Sequence, residues 1–278
     1  MKHCRAHTLA LASVLVIASA PAHAQFSRLL DSVKDRVERK AVEQVDRMVD
    51  GEPSRADAGQ PSPSRMLQVD MASDFVPGDH VLLHDTFAGV HAGAMPGTWR
   101  TNGSAQVMTV QQVPGQWLDM RTSSLFKLAT PLQLPERFTI EFELLAIADS
   151  IGDLYPVEFG FAHDGSVARS QQINAVRLHY YNDGGVVVTS RATDHYTESG
   201  FDLRGYANRV MPVAIAVDGD QMRVYLDGHK ISDARLFRDN ASRHFYIESP
   251  SRLDNGSHLA LGNIRIATFS GDLVRATP

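Results

Sequence analysis

Glu141 and Glu143 stand two residues apart in the run FTIEFELL, so an extended chain places both carboxylates on one face of a strand. Two carboxylates flanking a bond are what glycoside hydrolysis requires, one as acid and the other as nucleophile or base. Further along, Glu158 in VEFGFAH and Arg177, His179 and Tyr181 in INAVRLHYY alternate with apolar neighbours. Together the six are expected to form one polar sheet face on neighbouring strands. Such a face offers hydrogen-bonding groups and an aromatic platform, the two things a sugar ring needs. Asn174, Val176, Leu178 and Tyr180 hold the opposite parity and must then point inward. The plain alternative is an ordinary solvated sheet face.

Other constellations are weaker. His80 and His84 fall four apart in a strand-like run, roughly 13 Å at about 3.3 Å per residue, too far to share a zinc ion. Asp218, Asp220 and Asp227 are conceivable calcium ligands, yet Asp in a hairpin turn usually serves the backbone through its own hydrogen bonds. No cofactor is therefore expected, calcium being the one ion with any candidate residues. Ser123 and Ser124 lack a glycine elbow, so a nucleophilic triad has no support.

The elements that must position these residues follow from the change of period along the chain. Phe26, Leu30, Val33, Val37, Ala41, Val45 and Met48 recur at three- and four-residue steps without Gly or Pro, which predicts an amphipathic helix over 25–50. Asp35/Arg39 and Glu43/Arg47 support it at i,i+4. Its apolar stripe suits self-association or a helical partner. Residues 51–65, GEPSRADAGQPSPSR, lack the apolar side chains of a core and read as a linker. From 66 to 278 the period is two. Asn102-Gly103, Pro114-Gly115, Asp183-Gly184, Asp218-Gly219, Asp227-Gly228 and Asn255-Gly256 punctuate the short runs as turn signals. Phe138, Ile140, Phe142 and Leu144 point one way in their strand. Val213, Ile215 and Val217 answer Met222, Val224 and Leu226 across a turn. Many antiparallel strands with almost no helical period predict an all-β sandwich.

Composition bounds what such a chain does. Its 278 residues are 43% hydrophobic and 21% charged, with a net charge of −5. That is ordinary for a globular protein and leaves no basic excess for nucleic acid. Lys2 and Arg5 precede the apolar stretch Leu9 to Ala20, and the small residues Ala22 and Ala24 flank His23 before Gln25. This reads as a secretory signal peptide over 1–24, cleaved between Ala24 and Gln25, which leaves no transmembrane span in the mature chain. The only cysteine, Cys4, leaves with it. A disulfide framework and a thiol nucleophile are both excluded from the mature protein.

The segment VAIAVDGDQMRVYLDGHKISDA resembles a late hairpin of concanavalin A-like lectin/glucanase jelly-roll sandwiches. DFVPGDHVLLHDTF, VPGQWLDM, LPERFTIEFEL and HLALGNIRIA, with the charged helix before them, are similar to the N-terminal region of bacterial OmpA-family envelope proteins. The OmpA-type C-terminal domain of that family has no counterpart in these residues, so peptidoglycan anchorage is not carried over. The resemblance implies an exported sandwich in the periplasm, at the outer membrane or outside the cell. Catalytic members of the superfamily carry a third carboxylate beside their strand pair, and here Leu144, Leu145 and Ala146 follow Glu143.

The sequence thus leads to a non-enzymatic binding or adaptor protein of the cell envelope, recognising a glycan or a protein partner through its sandwich. The rivals are a glycan-active hydrolase and a structural envelope protein with no small ligand. Terminal sequencing of the exported protein is expected to begin at Gln25; a retained apolar leader contradicts the processing.

Overall fold

The computed structural model describes residues 73–168, 172–181, 185–239 and 241–273. The signal peptide, the amphipathic helix with its association role, the linker and the Asp183-Gly184 turn all lie outside the described residues.

The described chain is an all-β sandwich of two antiparallel sheets. Its strands are β1 (His80–Asp85), β2 (Trp99–Thr101), β3 (Ala105–Val110), β4 (Val113–Met120), β5 (Leu125–Leu128), β6 (Arg137–Ile147), β7 (Val157–Ala162), β8 (Gln172–Leu178), β9 (Val186–Ser190) and β10 (His195–Ser199). They continue with β11 (Val210–Asp218), β12 (Gln221–Leu226), β13 (His229–Arg235), β14 (His244–Glu248) and β15 (His258–Thr268). A single helical turn, Ser270–Leu273, follows. The first sheet runs β13-β12-β11-β6-β15-β4-β3, with β1 beside the second half of β15. The second runs β10-β9-β8-β7-β14-β5-β2. No described helix is long and apolar enough to cross a membrane.

Alternation decides which side chains meet between the sheets. Phe138, Ile140, Phe142 and Leu144 of β6 are all buried, and Thr139, Glu141 and Glu143 face away. In the β11–β12 hairpin, Val213, Ile215 and Val217 oppose Leu226, Val224 and Met222 in register, all buried as the period predicts. Phe142 of the first sheet meets Phe159 edge-on at 5.2 Å and Phe245 at 5.8 Å, both from the second. Phe138 and Phe161 make the same kind of contact at 5.7 Å.

Turn chemistry sets the register at the edges. Asp227 and Gly228 both take positive φ, 46° and 78°, and join β12 to β13 as a two-residue hairpin. Asn255 and Gly256 also take positive φ, 51° and 73°, in the connection from β14 to β15. Two expected turns differ. Pro114-Gly115 lies inside β4, because the β3–β4 hairpin closes at 111–112, where Val110 pairs with Val113. Asn102-Gly103 carries the chain from one sheet to the other, and Asn102 Oδ1 accepts from the Leu125 backbone N–H at 2.8 Å.

Phe142 fills space against two aromatic rings of the opposite sheet. Phe142→Ala is therefore expected to cost about 3–5 kcal/mol in urea unfolding, and a loss below about 1 kcal/mol would contradict its part in joining the sheets.

Candidate functional site

β7 and β8 pair so that Glu158 faces Arg177, Gly160 faces Ala175, and Phe159 and Phe161 point into the core. The register continues across the second sheet. One outward row reads Val187, Arg177, Glu158, Glu248, and the next Thr189, Ala175, Gly160, Tyr246. Gly160 has no side chain, and that of Tyr246 crosses it to reach Glu158 and the Asn174 carbonyl on β8. A Cβ there would collide with the Asn174 carbonyl, so the position takes no larger residue without moving β8. A cleft of about 460 Å³ lies on the outer face of this sheet, lined by residues of β7, β8, β9 and β14.

Glu158 is the fixed point of the cleft. Its Oε1 accepts from the Tyr246 hydroxyl at 2.7 Å, and its Oε2 accepts from Arg177 Nε at 3.1 Å and from a terminal nitrogen of the same guanidinium at 2.5 Å. The Tyr246 hydroxyl also lies 3.2 Å from the Asn174 carbonyl. Burial, then the Glu158 charge, drives the Tyr246 phenol well above the usual range, so it stays protonated and donates. Each oxygen of the carboxylate keeps acceptor capacity, and the Arg177 side chain is 48% exposed. His179 stands beside them with Nε2 buried and without a hydrogen-bond partner. Burial first, and then repulsion from Arg177, lower its pKa, which leaves a neutral imidazole able to give or take one hydrogen bond.

An aromatic wall closes one end. Tyr181, 42% exposed, stacks on Tyr155 with centroids 4.8 Å apart and planes 6° from parallel. Arg252 sits over the Tyr155 ring at 5.3 Å and holds Asp254 at 2.6 Å. Tyr155 fixes one face of Tyr181 and leaves the other to the solvent.

Four of the six residues singled out in the sequence, Glu158, Arg177, His179 and Tyr181, line this cleft. Glu141 and Glu143 do not. They lie on β6 in the first sheet, on the far side of the sandwich, so the expectation of one six-residue face on neighbouring strands is corrected. Parity tells which side of a sheet a residue takes; the 148–156 connection then carries the chain from one sheet to the other. Both carboxylates have partners there. Arg265 holds Glu141 at 2.5 Å, and Asn263 Nδ2 donates to Glu143 at 3.1 Å while its Oδ1 contacts His84 Nε2 at 3.0 Å.

The sequence reading missed Tyr155, Glu248, Thr189 and Arg191, which line the cleft, and Tyr246, which is fully buried and donates to Glu158. For Tyr246 and Glu248 a signal existed: in HFYIE the buried Phe245 and Ile247 alternate with them.

The residues offered for calcium do not converge. Asp218 and Asp220 sit at the β11–β12 turn, and Asp227 at the far end of β12. Arg137 lies 4.0 Å from Asp218, Arg235 pairs with Asp220, and Tyr206 and Arg209 reach Asp227 at 2.7 and 3.1 Å. Among the described residues no group of three His, Cys, Asp or Glu is placed to hold a metal ion.

Fold and cleft together define an antiparallel β-sandwich with a polar, aromatic-edged groove on one outer sheet face. No protein-family model and no curated protein sequence matches the chain. Solved structures similar to it include the Emp47p carbohydrate recognition domain, with a TM-score of 0.48 and 12% identity over 65% of this chain and 92% of that one. The VIP36 exoplasmic/lumenal domain in its metal-free form gives 0.49 and 13% over 68% and 92%. The carbohydrate-binding module CBM66 from Bacillus subtilis gives 0.42 and 14% over 62% and 96%. At such identities the likeness concerns the path of the chain and assigns no side chain.

Burial lowers the pKa of His179 and of His244 below the ordinary 6.5. On acidification the unfolded chain takes up protons at these imidazoles first. Stability is therefore full above about pH 6.5 and falls as pH drops through that value towards the folded pKa values. Thermal midpoints measured from neutrality to about pH 5 are expected to decline, and the double variant His179→Gln/His244→Gln to flatten that decline. An unchanged slope in the variant would assign it to other groups.

Proposed function

We propose that the protein is an exported, non-enzymatic glycan-binding protein of the bacterial cell envelope, with its site in the cleft on the second sheet. The observation that carries this is the meeting of the Glu158–Arg177 pair with the Tyr155–Tyr181 stack beside the small side chain of Ala175. A sugar presents hydroxyl groups that both donate and accept, and an apolar ring face. A fixed carboxylate, a guanidinium and a neutral imidazole meet the first, and an exposed tyrosine ring meets the second. The cleft volume lies in the range of about 300–1,000 Å³ usual for small-molecule sites.

Export rests on the basic, apolar and small-residue order of residues 1–24. The envelope setting rests on the resemblance to OmpA-family N-terminal regions. The stripe over 25–50 supplies self-association or a protein partner in the same reading. No metal or other cofactor enters it.

A second reading has one observation in its favour. Glu158 and Glu248 oppose each other in register across β7 and β14 in the same cleft. Cross-strand Cβ atoms stand about 4.5–5.5 Å apart, which brings two carboxyls into the neighbourhood of the roughly 5–5.5 Å used by retaining glycosidases. Glu158 would be the nucleophile and Glu248 the acid.

A glycan array probed with the full chain tests the first reading. Tyr181→Ala is expected to weaken binding about tenfold, near 1.4 kcal/mol, while leaving the melting temperature in place. Release of reducing ends by the wild type, abolished by Glu248→Gln, would transfer the site to the hydrolase reading. Silence across the array, with one discrete protein captured by cross-linking in the envelope, would favour an adaptor without a small ligand.

A further inference from the structure

The cleft is unequal at its two sides. Towards β10 the face is open: Tyr196, opposite Thr189 in register, is 67% exposed, and Glu198, opposite Val187, is exposed as well. Towards β5 it is shut. Leu125, Ala162 and Tyr246 project from the same outer face as Glu158 and Ala175, yet all three are fully buried, and Val167 packs on them. Val167 belongs to the segment 163–168 that follows β7 and folds back over β14 and β5.

That segment is fastened by charge. Lys127, opposite Tyr246 on β5, is only 2% exposed, and its ammonium donates to the Asp164 carbonyl at 2.8 Å with the Asp164 carboxylate 3.9 Å away. Arg100, opposite Lys127 on β2, donates to the Gly165 carbonyl. The Asp164 carboxylate also accepts from the Ser166 N–H at 2.8 Å, which tightens the bend. A buried ammonium is costly unless it is paired and hydrogen-bonded. Here its hydrogen bond and its counter-charge both come from the segment, so the strap and the cation hold each other in place.

We propose that the strap over 163–168, pinned by Lys127 and Arg100, ends the groove at β14 and makes the site one for the terminus of a glycan chain and not for an internal stretch. This inference rests on the glycan-binding reading of the cleft. A chain lying across the strands enters from β10, passes Thr189 and Ala175, reaches the Glu158–Arg177 pair, and meets the strap where it covers Tyr246. Its last one or two units occupy the polar floor, and no further unit has sheet to lie on.

The test is hapten inhibition with the full chain. The competitors are linear oligosaccharides of increasing length cut from whichever immobilised polysaccharide the protein retains. Inhibition is expected to reach its full strength with the shortest two members of the series. Exoglycosidase trimming of the terminal unit from an array glycan is expected to abolish its signal. Inhibition that strengthens with every added unit, or equal binding of a cyclic oligosaccharide, would overturn the terminus assignment and leave glycan binding intact. Failure to retain any polysaccharide would remove glycan binding itself, and the terminus assignment with it. Lys127→Met keeps the stem and removes the ammonium. It is expected to raise affinity for the longer oligosaccharides several-fold while leaving the shortest unchanged, and an identical length profile would count against the strap. Should that variant not fold, the wild-type length series decides alone.

Discussion

Everything on the outside of this sandwich is dictated by how its two sheets meet inside. Phe138 and Phe142 of the first sheet interlock with Phe159, Phe161 and Phe245 of the second, ring edge to ring face or tilted, and Phe237 joins them from the segment after β13. Such contacts add to the burial of the rings themselves and tolerate little sliding. Once these parities are fixed inward, a period of two fixes every neighbour outward. Glu158, Gly160 and Ala162 face out because Phe159 and Phe161 face in. The cleft floor is therefore a by-product of the core register, and a one-residue slip of β7 would empty both.

Within the cleft, a second constraint follows from burial. Tyr246 stands on the outer face but is covered by the strap, so its hydroxyl needs a partner inside the protein. Glu158 supplies it and is in turn held by Arg177. Glu158 is thus held in place by the same burial that covers Tyr246. The charges used are few and local, which agrees with a chain whose basic and acidic residues nearly balance overall.

How far the sequence discloses this depends on what periodicity encodes. Alternation in FTIEFELL and in the β11–β12 hairpin reveals strands and their buried faces without further help. It carries no information about which sheet a strand joins, and so Glu141 and Glu143 read as companions of Glu158 although a sheet-to-sheet connection separates them. β5 shows the opposite difficulty. Leu125, Phe126, Lys127 and Leu128 are all buried, two under the core and two under the strap, so no alternation marks the strand and its lysine reads as a surface residue. Pro114-Gly115 has the composition of a turn but opens β4. Local chemistry permits both, and tertiary pairing decides.

The two outer faces differ in how far their side chains pair with one another. On the first sheet Trp117 lies against Gly262 and Ala260, Phe75 covers Tyr225 edge-on at 5.4 Å, and Asp74 takes Lys230 at 2.7 Å. Its carboxylates Glu141 and Glu143 are occupied by Arg265 and Asn263. That face spends its aromatic and charged groups on its own packing. On the second sheet Tyr181 stays 42% exposed, and the Glu158–Arg177 pair lies beside it along the open cleft. An unmatched buried nitrogen is a cost in the free protein wherever it falls, and Trp117 Nε1 on the first sheet carries it as His179 Nε2 does on the second.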